Sequence, residues 1–131
     1  MKQQTYLFTI PGNPQNIIRY KNNLSHSIRD RYQEARSFYR VNIINQHLSE
    51  NIISGPIAID CRFIFDKQDT KQFSKHKINY HKKFPTLPVL YGFVENTMRG
   101  LLFENEVLVV SLSMTKTYGD EPKTEILITK L

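Results

Sequence analysis

The chain contains one cysteine, Cys61, so it can form no internal disulfide and no cysteine-built zinc site. Cys61 falls within an alternating apolar pattern, and a buried structural thiol is expected there, not a nucleophile. The four histidines are scattered, and the closest two, His76 and His81, do not have the spacing of a helical ligand pair. Apolar runs are only a few residues long, too short to span a bilayer. Met1 to Asn13 lacks the apolar centre of a secretory signal, because polar residues interrupt it. A soluble cytoplasmic protein with no membrane attachment is therefore expected. Acidic residues are also scarce, with 12 against 18 Lys and Arg, for a net charge of +6 and a pI near 9.5. That excess favours an anionic partner, with nucleic acid first, because phosphate neutralisation supplies most non-specific affinity. Charge alone leaves a basic protein with no polyanion ligand equally open.

With 131 residues, 40% apolar and 23% charged, the composition is that of an ordinary globular chain. A single domain over residues 1–131 is expected, near the size at which a second subunit adds useful burial. Thr5 to Ile10 reads as a strand, stopped by Pro11-Gly12-Asn13-Pro14. A helix should start after Ser25 or Ser27 and run to about Leu48, with Ile28, Tyr32, Ala35, Tyr39 and Ile43 facing the core. Arg29, Arg36 and Arg40 would form its solvated face. After Ser54-Gly55-Pro56, Ile57, Ile59, Cys61, Phe63 and Phe65 alternate as in a strand. From Lys67 to Lys83 there are six lysines against one aspartate and no apolar period, which predicts a long loop. A second helix should run from about Pro88 to Arg99, capped by Thr86, packed through Leu90, Phe93, Val94, Thr97 and Met98, and ended by Gly100. Val107 to Thr115 and Thr124 to Leu131 complete the order β-α-β-α-β-β. An α/β (α+β) fold is expected, with a mixed sheet and two packed helices.

Two segments carry a more specific signal: His81-Lys82-Lys83-Phe84-Pro85-Thr86-Leu87-Pro88-Val89-Leu90, and Gly100-Leu101-Leu102-Phe103-Glu104-Asn105-Glu106. Together they resemble the active-site region of RusA-type Holliday junction resolvases, where the first reads H-x-x-x-P-D-x-D-N-L-x-K and the second leads into D-D-x-Q-[IV]-V. Phe8 to Pro14 with Arg19 resembles the family's first strand, turn and basic residue. Lys116-Thr117-Tyr118-Gly119, then Pro122 and Glu125 to Ile128, resemble its K-x-Y-G turn and closing strand. The resemblance covers nearly the whole chain and implies a RusA-like domain, a homodimer and a branched-DNA substrate.

It also shows what is missing. Phosphodiester cleavage in the family uses Mg²⁺ held by clustered carboxylates. Thr86 and Pro88 stand at the two aspartate positions that open the helix, Val89 at the asparagine and Gly92 at the lysine. The later acidic pair is Asn105 and Glu106, and Leu108 replaces the glutamine. Glu106 is thus the one acid in register for a catalytic and metal-binding role. A relocated Mg²⁺ site would have to combine it with Glu104 and Glu95. Binding can outlast cleavage, and a basic rim of Arg19, Lys21, Lys71, Lys75, Lys77, Lys82, Lys83, Arg99 and Lys116 is the expected phosphate contact, with Lys67 bordering it. Tyr20, Phe73 and Tyr80 could stack on unpaired bases. The expected function is binding of branched or structured DNA, with junction cleavage lost or greatly weakened. The alternatives are an active Mg²⁺ endonuclease with a relocated site, and a resolvase-derived module that binds another protein.

Overall fold

A computed structural model describes residues 4–14, 26–47, 52–67, 80–82 and 85–131 of the protein, with the side chains of its first helix described from residue 30 onward. It has β1 (Thr5–Pro11), α1 (His26–Gln46), β2 (Ile57–Asp66), α2 (Leu87–Met98), β3 (Val109–Gly119) and β4 (Lys123–Lys130). A 3₁₀ turn, Glu106–Leu108, precedes β3. This is the expected element order, in a four-stranded mixed sheet ordered β1-β4-β2-β3. Strands β2 and β3 run parallel, joined through α2, as a parallel pair needs a long crossover. The other neighbouring pairs are antiparallel.

The strict alternation in β2 decides the packing. Ile57, Ile59, Cys61, Phe63 and Phe65 are all buried on one face, and Phe8, Ile10, Ile126 and Ile128 extend that face across β1 and β4. Both helices cover it. From α1 come Tyr32, Tyr39 and Ile43, and from α2 come Leu90, Phe93, Val94 and Met98. Phe93 seats the two helices together, with edge-on contacts to Tyr39 at 5.0 Å and Tyr32 at 5.6 Å between ring centroids. The sheet's opposite face is mixed, with Leu7 and Leu127 beside charged residues: Asp60 pairs with Arg62 and Lys123 with Glu125, and Ser113 donates to Asp60.

Several boundaries differ from those read in the sequence, each for a local reason. Ser27 lies inside α1, while Ser25 and Leu48 lie outside the described residues. Arg36 is not on a solvated face. It is half-buried, and its Nε donates to Asn96 Oδ1 at 3.0 Å, linking α1 to α2. Thr86 occupies the N-cap position of α2, but its side chain makes no capping hydrogen bond. β3 starts two residues late because Asn105 Oδ1 accepts from the Val107 N–H at 3.0 Å and winds the chain into the 3₁₀ turn. β3 and β4 follow each other through a short turn yet do not pair, since β2 lies between them. That crossing brings Gly119 against Ile64, where any added Cβ would sit 2.8 Å from its methyl.

The sheet's two edges differ. On β1, Gln46 accepts from the Thr9 N–H and donates to the Thr9 carbonyl, both at 2.8 Å, and so blocks the edge. On β3, Tyr80 bridges to Thr117 and the His81 N–H donates to the Lys116 carbonyl at 3.1 Å, which covers the strand's C-terminal part. Towards its N-terminal part, Val107, Val110 and Leu112 remain exposed.

Candidate nucleic-acid interface

Among the described residues that the sequence singled out, His81, Thr86, Pro88 and Lys116 lie at the N-terminal end of α2, and Arg99 and Glu106 at its C-terminal end. At its N-terminal end, His81 is buried, stacked on Phe65 with centroids 3.9 Å apart and tilted against Tyr118 at 5.1 Å. This aromatic packing and the His81–Lys116 backbone bond fix the chain just before the helix. Lys116 then reaches from β3 and donates Nζ to the Pro85 carbonyl at 2.9 Å, in a half-buried position. Thr86 and Pro88 follow, both exposed. A threonine hydroxyl and a proline ring are what this end offers in place of two carboxylates.

At the C-terminal end, the helix stops because Gly100 adopts φ +81°, a left-handed conformation that costs glycine nothing. The Arg99 N–H still bonds the Glu95 carbonyl, and the Gly100 N–H bonds the Phe103 carbonyl. This turn sets Arg99 opposite Glu106, with Nη1 3.3 Å from Oε2. Both side chains are about half exposed. Glu106's own backbone N–H and then the Arg99 guanidinium hold its carboxyl below the usual glutamate range. Glu104 is exposed, and Glu95 is half-buried on α2 beside Tyr91. Burial first, and Glu95 second, raise the Tyr91 hydroxyl well above its ordinary pKa. The twelve-residue helix is about 18 Å long, so Thr86 and Glu106 are held at opposite ends of it.

A divalent ion needs several oxygen ligands at one point. Among the described residues, no three His, Cys, Asp or Glu side chains come together in a way that could hold one. The one in-register acid is engaged by an arginine. Within one chain, the donor set among the described residues does not fit a resident Mg²⁺. Cys61 is fully buried, and desolvation followed by the Asp60 charge pushes its thiol up to about 12, so it acts as a core residue, as expected.

Of the basic rim, Arg19, Lys21, Lys71, Lys75, Lys77 and Lys83 lie outside the described residues, as do Tyr20 and Phe73. Lys82 and Arg99 are exposed, Tyr80 presents an exposed ring, and Lys67 pairs with Asp120. Lys116 is turned into the fold. Sequence reasoning missed the Arg99–Glu106 pair, although both residues had been singled out separately. A basic residue at a helix end followed by a tight glycine turn was the available signal. No helix among the described residues is long and apolar enough to cross a membrane.

Comparison with known proteins adds two similarities. The family described as "Endodeoxyribonuclease RusA" matches residues 10–129. A Bacillus subtilis (strain 168) protein described as "Uncharacterized protein YqaN" is 26% identical over 132 residues, spanning 92% of this chain and 93% of its own length.

Proposed function

The chain belongs to the RusA endodeoxyribonuclease family, and from that premise we propose that it binds branched DNA as a homodimer while metal-dependent junction cleavage is lost or greatly weakened. The observation that carries this reading is the donor set at the two ends of α2. Thr86 and Pro88 replace the opening carboxylates, and Glu106 is held by Arg99 in place of other acids. The net charge of +6 and the exposed Lys82, Arg99 and Tyr80 support continued contact with nucleic acid. An aromatic ring beside cations suits bases that are unpaired at a branch point.

The helix length supports the homodimer. One chain holds the family's early and late ligand positions at opposite ends of α2, so a shared site would join the α2 N-terminus of one copy to the Glu106 corner of another. The uncovered part of the β3 edge, with Val110 and Leu112 exposed, provides a surface for such pairing. That same edge favours the second reading, in which the scaffold engages a different protein.

Titration of labelled four-way junction and matched duplex, with complex and products scored from the same samples in Mg²⁺, separates the readings. A junction-selective complex without products is expected. Cleavage that Glu106→Gln abolishes would instead support a relocated metal site built from Glu106, Glu104 and Glu95. Absence of any DNA complex would favour the protein-binding module.

A further inference from the structure

An acidic corner repels a phosphate unless a cation lies between them, and the family resemblance assigns that task to a metal ion. The corner after α2 has a different composition here. Asn105 is neutral, and its Oδ1 is committed to the Val107 N–H, which leaves the two amide hydrogens on Nδ2 directed away from that bond. Glu106 carries one negative charge, and Arg99 balances it. Arg99 uses Nη1 on Glu106, while its guanidinium has five donors in a planar fork suited to phosphate oxygens. The Arg99 side chain is 45% exposed, at a surface that a ligand can reach. Glu104, exposed beside the turn, is the one acid there with no ion pair among the described residues.

Resting on the DNA-binding reading, we infer that Arg99 and Asn105 form a metal-independent seat for a DNA phosphate at this corner, with Glu106 bracing the guanidinium in place. The fixed guanidinium replaces the exchangeable cation. Lys82 is exposed and adds charge, but at the corner after α2 it is Arg99 that a carboxylate of the fold holds.

The test is fluorescence anisotropy of the full chain with a labelled four-way junction, at matched ionic strength in EDTA and in Mg²⁺. The unmodified protein should bind equally in both. Arg99→Ala should weaken binding roughly tenfold and reduce the slope of log affinity against log salt by about one. Asn105→Asp retains the capping acceptor and therefore the turn. It should weaken binding by removing the two amide donors and adding a negative charge, with an unchanged melting temperature. Binding that Mg²⁺ tightens severalfold, an Arg99→Ala variant that binds normally, or an Asn105→Asp variant that gains Mg²⁺-dependent affinity would each overturn the inference while leaving DNA binding intact. If the unmodified protein binds no junction in either buffer, the DNA reading falls, and the phosphate seat falls with it.

Discussion

Each end of α2 is organised around one cation, and the two cations differ in what surrounds them. At the N-terminal end, Lys116 is half-buried and its ammonium is spent on the Pro85 carbonyl. At the C-terminal end, Arg99 is half-exposed and shares a surface ion pair with Glu106. A charge withdrawn from water must be satisfied inside the fold, so the Lys116 contact is structural. A surface pair contributes little to stability and leaves its donors within reach of a ligand. Two basic residues that look equivalent in the sequence therefore differ in setting: one donates within the fold, and the other stands at the surface, where the proposed phosphate seat would use it.

Replacing Lys116 should give the largest separation between the ends. Lys116→Met removes a hydrogen bond from a charged donor and should cost about 2 kcal/mol, read from thermal or denaturant unfolding. The salt dependence of junction binding should stay unchanged. An unaltered melt with a reduced salt slope would break the comparison, because Lys116 would then be a phosphate contact. Next in size, Gly100→Ala should destabilise by about 1 kcal/mol, because φ +81° disfavours any side chain. The C-terminal corner would then owe its stability to the backbone turn more than to Arg99.

Two smaller effects sharpen the contrast. Thr86→Ala should change stability by only a few tenths of a kcal/mol, below the roughly 1 kcal/mol of an ordinary cap, because the hydroxyl makes no capping bond. The change read from the same unfolding curves should be nearly as small for Arg99→Ala. The pair should be visible by titration instead. Glu106 has a depressed carboxyl pKa, so its favourable interaction is present at neutral pH and is lost as pH falls through that depressed value. Side-chain NMR should show Glu106 titrating below the usual glutamate range, and Arg99→Ala should move it upward. An unshifted Glu106 in the unmodified protein would dissolve the pair.

The sequence made the core legible where a simple period controls burial. The alternation from Ile57 to Phe65 and the helical recurrence of Tyr32, Tyr39 and Ile43 placed the buried faces, because exclusion of apolar side chains from water is insensitive to neighbours. The sheet order was not legible. Nothing local records that β2 lies between two strands joined by a short turn, as this depends on which edges are free when the helices pack. The α2 N-terminus misled for a related reason: Thr86 has the composition of a cap, but capping depends on its rotamer and on Pro88 in the first turn. For the site, residue identities alone carry the proposed loss of carboxylates at Thr86 and Pro88. Pairing of Arg99 with Glu106 emerged only in three dimensions, since it depends on the glycine turn and on the Asn105 bond that shapes the following 3₁₀ segment.

The most direct test of the central reading is one binding and cleavage experiment on a labelled four-way junction, run in parallel with EDTA and with Mg²⁺. The expected result is a junction-selective complex of equal affinity in both, with no cleaved strand in either. Mg²⁺-dependent strand cleavage that disappears with Glu106→Gln would contradict it, and would show that this scaffold still assembles a working metal site.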